Sequence, residues 1–243
     1  MPHGAAAHCK TIRKIAGAAS RLLILATMAS SICTQVLHAQ NSLSRPAPQV
    51  INPLVSVPEC VPGRLSDYEK LGTTGCRIGD IQFSSFLRAT ASNGLSSRAI
   101  SVTPGTAIDS SDPALVFEGP WVGKPQTATV AFSYKVSAPP PAKPVIAASL
   151  QMQFGQITGT GEASIATKIG ITGRSGDPSA IQLQLKLGGE APKKDSTEAD
   201  LPAPAAELRI IETVTLSSGK DGSARINGFM TVFQLEGVKS VRP

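Results

Sequence analysis

The run IAASLQMQF at residues 146–154, followed by IATKIGI at 165–171 and IQLQLKL at 181–187, places an apolar side chain at almost every second position. Successive side chains of an extended chain point to opposite sides, so period two marks a strand with one buried face, whereas a helix would repeat near every 3.6 residues. Ile146, Ala148, Leu150, Met152 and Phe154 are expected on one face, with Ser149, Gln151 and Gln153 on the other. Ile165, Thr167, Ile169 and Ile171 form the next face, and Ile181, Leu183, Leu185 and Leu187 alternate with Gln182, Gln184 and Lys186.

The same pattern extends in both directions. Upstream, Val130, Phe132, Tyr134 and Val136 alternate with Ala131, Ser133 and Lys135; Ile81 and Phe83 open an earlier strand; and residues 114–118 are a short apolar run. Downstream, residues 208–216 and 224–235 supply the last two strands. Their apolar positions change phase near Ile210-Ile211 and between Ile226 and Phe229, which predicts bulges. Connections come from turn chemistry: Gly159-Thr160-Gly161, residues 173–177 and Gly219-Lys220-Asp221-Gly222 read as hairpin-like, residues 138–144 as a proline-rich crossing, and residues 192–204 as a polar loop. At least eight such strands with little helix predict an all-β fold, an antiparallel, jelly-roll-like β-sandwich. Its inward set should include Val130, Phe132, Tyr134, Leu150, Met152, Phe154, Ile181, Leu183 and Leu185.

One short helix is expected near the start of the domain. Ser66-Asp67-Tyr68-Glu69 fits a capping box, Leu71 adds an apolar contact, and Gly72 can end the turn in a left-handed conformation. Capping accounts for Asp67 and Glu69, which otherwise invite a reading as paired catalytic acids. The helix lies between Cys60 and Cys76.

The first 39 residues have the layout of a cleavable export signal. Lys10, Arg13, Lys14 and Arg21 make a basic start, residues 22–37 are mostly apolar, and His38-Ala39-Gln40 offers cleavage after Ala39. The apolar run is too short and too diluted by Ser30, Ser31, Thr34 and Gln35 to span a bilayer, so the mature chain is expected to carry no transmembrane segment. The expected organisation is a signal peptide at 1–39, an extended Pro-rich entry segment at 40–58 and a sandwich domain at 59–243.

Removing that leader changes the chemistry available. His3, His8 and His38 all leave with it, so histidine has no place in a mechanism of the mature form. The full chain carries a formal charge of +6, and the 204-residue mature form about +2, with no Lys/Arg cluster interleaved with aromatics; no nucleic-acid surface is expected. Cys9 and Cys33 also leave, and the remaining pair, Cys60 and Cys76, is read as a disulfide of an oxidising compartment. Two thiols without histidine make an incomplete zinc site.

Few residues suggest a reaction. Asp109-Ser110-Ser111-Asp112 groups carboxylates and hydroxyls as a calcium loop would, with Asp109 and Asp112 as the metal ligands; Asx turns explain the same residues, and no other cofactor is indicated. Glu118 could form half of a glycosidase carboxylate pair with Asp109 or Asp112. Trp121 could stack on a sugar, with core packing as the alternative use of a single mature tryptophan. Ligand binding is therefore expected at Glu118 and Trp121, beside the Asp109 to Asp112 loop.

A resemblance adds to this reading. Cys60, then Leu65-Ser66-Asp67-Tyr68-Glu69-Lys70-Leu71-Gly72, then Gly75-Cys76-Arg77-Ile78-Gly79-Asp80 leading into Ile81-Gln82-Phe83-Ser84-Ser85-Phe86, resembles exported bacterial proteins of the PEP-CTERM sorting-domain group. Leu115-Val116-Phe117 with Trp121, and Gly222-Ser223-Ala224 before Phe229 and Phe233, extend the resemblance over roughly residues 60–234. It implies an exported, β-rich protein to which no catalytic residue can be carried over. In that group a C-terminal Pro-Glu-Pro motif, an apolar helix and a basic tail direct sorting to the envelope and matrix. This chain stops at Val238-Lys239-Ser240-Val241-Arg242-Pro243 without such a helix, which predicts a released or periplasmic form. The expected function is a noncatalytic secreted or cell-envelope protein that binds a polysaccharide or an envelope or matrix protein. The alternative is a secreted carboxylate-dependent hydrolase.

Overall fold

The structure is a computed structural model that describes residues 56–92, 95–107, 110–123, 127–172, 181–188 and 195–237. The predicted signal peptide and nearly all of the entry segment lie outside the described residues. Where description begins, the chain already lines a sheet edge: Arg77 N–H donates to the Pro58 carbonyl and Cys60 N–H to the Arg77 carbonyl, both at 2.8 Å.

The alternating runs become strands, and the strands form two antiparallel six-stranded sheets. Sheet 1 is ordered β1 (Gly63–Arg64), β4 (Ser101–Thr106), β5 (Pro113–Val122), β12 (Ser223–Leu235), β7 (Val145–Thr158), β10 (Ser196–Ala205). Sheet 2 is ordered β2 (Cys76–Ile78), β3 (Ile81–Ala91), β6 (Ala128–Ser137), β11 (Glu207–Ser217), β8 (Glu162–Ile171), β9 (Ile181–Leu187). From β5 onward, sheet 1 reads β5-β12-β7-β10 and sheet 2 reads β6-β11-β8-β9, the two interlocked Greek keys of a jelly roll. The fold is thus an all-β antiparallel sandwich.

Apolar residues from both inner faces fill the space between the sheets. Phe117 of sheet 1 lies 4.8 Å from Phe132 of sheet 2 and 5.3 Å from Phe229, ring centre to ring centre, and Leu150, Leu183, Leu185, Ile165 and Ile210 are buried around them. Each such side chain contributes about 1.5–3 kcal/mol relative to its exposed state, which makes this interior the main source of stability.

Several expectations need correction. Phe154 is 60% exposed rather than inward. On β7, Met152 pairs with Phe229 and Phe154 with Gly228, so Gln153 is an extra residue, and the bulge turns Phe154 out and brings Gly155 and Ile157 to the inner side. Gly155 leaves room there for Leu187 of the facing sheet, whose Cδ1 would have to move to admit a Cβ 2.2 Å away. A second irregularity pairs Leu235 with Val145 and Gln234 with Ala147, so Val145 rather than Ile146 joins the core. The phase change predicted at Ile210-Ile211 does not exist: β11 pairs without interruption with β6 and β8, and the inward position that broke the apolar pattern is occupied by Glu212. The bulge predicted between Ile226 and Phe229 is present.

The turns at 159–161 and 219–222 are not hairpins. They join β7 to β8 and β11 to β12, whose members lie in opposite sheets, so both are crossings between layers. Residues 173–177, between the paired strands β8 and β9, lie outside the described residues. The predicted loop at 192–204 contains β10, a sheet-edge strand whose register against β7 is irregular between Asp200 and Ala205, the stretch that holds Pro202 and Pro204.

The helix α1 (Leu65–Lys70) and the disulfide are present. The helix begins two residues earlier than a Ser66 cap implies: Arg64 is the cap, Asp67, at the third helical position, accepts the Arg64 N–H through Oδ2 at 3.2 Å, and Glu69 accepts the Ser97 hydroxyl at 2.6 Å. Gly72 follows with φ of +56° and ends the turn as expected. Tyr68 packs edge-on to Phe86 and donates to the Val61 carbonyl at 2.8 Å; burial pushes its hydroxyl up to about 12. The Cys60–Cys76 bridge closes this unit against β2 and contributes roughly 3 kcal/mol by restricting the unfolded chain.

Candidate ligand-binding face

Strand β5 carries the residues first expected to meet a ligand, and its geometry separates them. Trp121 lies near its end and points inward; it is 1% exposed, with its ring 6.4 Å from that of Phe229. Gly119, two residues earlier on the same side, leaves the space that the ring fills, since a Cβ there would be 2.8 Å from it. Trp121 therefore offers no aromatic platform to solvent. Its Nε1 is buried without a hydrogen-bond partner among the described residues. Glu118 points the other way, exposed on the outer side of sheet 1 opposite Ser101 and Gly228.

Asp112 precedes the start of the same strand. It is buried, its Oδ2 accepts the Ser110 hydroxyl at 2.7 Å, and its own N–H donates to Ser110 Oγ at 3.2 Å, a turn closed by Ala107 N–H on the Asp112 carbonyl. Asp112 Oδ1 has no hydrogen-bond partner among the described residues. Six extended residues separate Asp112 from Glu118, about 20 Å at roughly 3.3 Å per residue. A glycosidase pair needs ~5–9.5 Å, so these two carboxylates are not one. Asp109, the other proposed calcium ligand, lies outside the described residues, and among those described no three acidic, histidine or cysteine side chains group as a metal site would require.

The most perturbed carboxylate is one that the sequence reading did not single out. Glu212 sits between the sheets, fully buried. It accepts hydroxyl hydrogen bonds from Tyr134 (2.9 Å, to Oε1), Thr167 (2.6 Å, to Oε2) and Thr231 (2.9 Å, to Oε1), the last reaching across from sheet 1. Burial pushes the Glu212 carboxyl up to about 7, against the pull of the three donors. Burial, and then the neighbouring Glu212, hold the Tyr134 hydroxyl well above its ordinary value. This cluster joins the layers and has no surface for a substrate. The signal for it was legible: in Leu208, Ile210, Glu212, Val214, Leu216 the glutamate occupies the inward slot.

The outward sides of the two sheets differ. On sheet 1, Ala114, Met230 and Val232 form a buried apolar cluster with Ala107 and Val116 packed against it, so this face is not an open polar surface. On sheet 2 the outward positions are mainly hydroxyl, amide and charged groups, with Ile211, Ala131, Ala166 and the exposed Leu87 among them. At the end where β8 begins and β9 and β11 finish, they line an open cleft of about 410 Å³. Ser164 pairs with both Lys186 and Thr215, Ala166 pairs with Gln184, and Glu162 pairs with Ser217, so Glu162, Ser164, Gln184, Lys186, Thr215 and Ser217 are neighbours across three strands. Because each stands between inward residues of its own strand, the core holds its backbone while its side chain is free to meet a ligand. Among the described residues no aromatic ring lines the cleft.

No family model matches the chain, and no curated protein matches it. Among solved structures, it is similar to the enzymatically active domain of bacteriophage CBA120 tailspike protein 4 at 16% identity and a TM-score of 0.25, covering 64% of this chain and 20% of that one. It is similar to TmCBM61 in complex with β-1,4-galactotriose at 11% identity and 0.28, covering 68% and 94%, and to Trichoderma harzianum endoglucanase 3 of family GH12 at 10% and 0.21, covering 65% and 100%. The chain thus spans a fifth of the tailspike domain it matches. Likenesses this distant carry no argument about what this chain does.

Proposed function

We propose that this is an exported binding module, without turnover, that holds a polysaccharide strand along the outer face of sheet 2. The observation that carries the reading is the cleft at Ser164, Gln184, Lys186 and Thr215. Its hydroxyl and amide groups stand at regular intervals on a rigid sheet, an arrangement suited to hydrogen-bonding the hydroxyls of an extended sugar chain. The Cys60–Cys76 bridge supports an oxidising compartment, and export to the envelope or matrix extends the resemblance to PEP-CTERM proteins. Among the described residues no helix is long and apolar enough to cross a membrane.

Affinity electrophoresis against a panel of soluble neutral and acidic polysaccharides tests this. Retardation by at least one polymer, reduced by Gln184→Ala with Thr215→Ala and unchanged by Glu118→Gln, is expected. Release of reducing ends that Glu118→Gln abolishes would favour the hydrolase instead, and retardation by none would remove the reading.

A further inference from the structure

We infer that the polymer held on the outer face of sheet 2 is polyanionic, a polysaccharide bearing carboxylate or sulfate groups, recognised by a diagonal of Arg209, Lys168 and Lys186. This rests on the proposed glycan-binding face and names the ligand class for it. Each of the three residues is exposed and stands between two buried neighbours of its own strand, Leu208 and Ile210, Thr167 and Ile169, Leu185 and Leu187, so all three point outward from the same sheet. Arg209 pairs with Gly170, two residues from Lys168 on β8, which puts the two at a diagonal spacing of about 7–8 Å. Lys168 pairs with Gln182, and Lys186 lies four residues further along β9, roughly 14 Å from Lys168, with Gln184 between them.

Among the described residues the charges on this face do not cancel. Lys135 is engaged by Glu207 at 2.8 Å, and its hydrogen bond holds the Glu207 carboxyl below the usual range. Arg209, Lys168 and Lys186 have no ion-pair partner among the described residues. The remaining outward acid of β8, Glu162, lies at the end of the cleft beyond Lys186, where it would limit how far an anionic strand runs. The track therefore enters as a basic diagonal and closes on a carboxylate, with amide and hydroxyl groups between. Nucleic acid fits less well, because among the described residues no aromatic side chain lines the cleft for bases to stack on. Exposed cations of this kind are screened by salt, so affinity should fall as ionic strength rises.

The test is calorimetric titration of the intact protein with polygalacturonate, its methyl-esterified form and single-stranded DNA, at low and high NaCl. The variant is Lys168→Gln/Lys186→Gln/Arg209→Gln, whose surface substitutions should leave thermal unfolding unchanged. The expected result is at least tenfold tighter binding of polygalacturonate than of its ester, weakened by salt, and a loss of tenfold or more in the variant. Equal affinity for the ester, indifferent to the variant, would overturn the anionic assignment and leave the glycan reading standing. Failure to bind either polymer or any neutral glycan of the panel would overturn both. DNA binding as tight as polygalacturonate would show a surface for polyanions in general and would overturn the choice of polysaccharide.

Discussion

The two faces of sheet 2 are made by the same strands and differ in every respect that matters for function. Toward sheet 1, β8, β9 and β11 present Ile165, Leu183, Leu185, Ile210 and Val214, with Glu212 sealed among them under three hydroxyl donors. Toward solvent, the intervening positions present Ser164, Gln184, Lys186, Arg209 and Thr215. The carboxylate most perturbed in its titration is the one a ligand cannot reach. A strongly shifted acid is often taken as the mark of a site. Here accessibility overrules it, and Glu212 is a tie between layers.

The contrast can be broken at neighbouring positions. Leu183→Ala removes an inward side chain and should cost about 2–5 kcal/mol of stability, whereas Gln184→Ala, one residue away and outward, should stay within about 0.5 kcal/mol. Denaturant titration of both variants checks it, and comparable losses would mean that the faces are misassigned. Removing the Cys60–Cys76 bridge by a double serine substitution should cost about 3 kcal/mol, from the helix side of the molecule, without altering the binding face.

The pH dependence sharpens the inner half of the comparison. Because the folded Glu212 carboxyl is raised above its ordinary value of 4.5 to about 7, the folded state holds a proton that the unfolded state releases. Its contribution is fully present below pH 4.5 and is lost as pH rises through 7, a loss approaching about 3 kcal/mol at roughly 1.4 kcal/mol per pH unit. Melts from pH 5 to 8 should show falling stability in the native chain and a flatter profile in Glu212→Gln. A profile unchanged by the substitution would place the titrating group elsewhere. Smallest of all, Phe154→Ser should alter stability by about 0.5 kcal/mol or less, because the bulge at Gln153 has already put that ring in water.

Much of the architecture was legible because a half-buried strand advertises itself by alternation, and β6, β8 and β9 do so over their whole length. What escaped was information that alternation does not carry. β10 contains Pro202 and Pro204 and reads as a loop until the sheet supplies a partner on one side, and the short β4, with Pro104 and Gly105, carries too little apolar alternation to mark itself. Turns rich in glycine look alike whether the next strand returns beside its predecessor or crosses to the other layer, so two crossings passed for hairpins. The phase change expected near Ile210-Ile211 follows from residue type alone, whereas by position Glu212 continues the inward row. The residues of the expected site are kept apart for a related reason. Asp112 and Trp121 are close in sequence, but an extended strand carries them to opposite ends of the sheet, and alternation sends Glu118 and Trp121 to opposite sides. The cleft residues gave no local signal, since a serine or glutamine on a strand's outer side becomes part of a site only when neighbouring strands bring others beside it.

The central claim is that ligand meets the outer face of sheet 2 and not the β5 region of sheet 1. Amide chemical-shift mapping by NMR, with polygalacturonate added to the isotope-labelled protein, tests it most directly. The predicted result is that the largest shifts cluster at Ser164, Lys168, Gln184, Lys186, Arg209 and Thr215, while Val116, Glu118 and the Trp121 indole stay still. Shifts centred on Glu118 and the Trp121 indole, with sheet 2 silent, would contradict it.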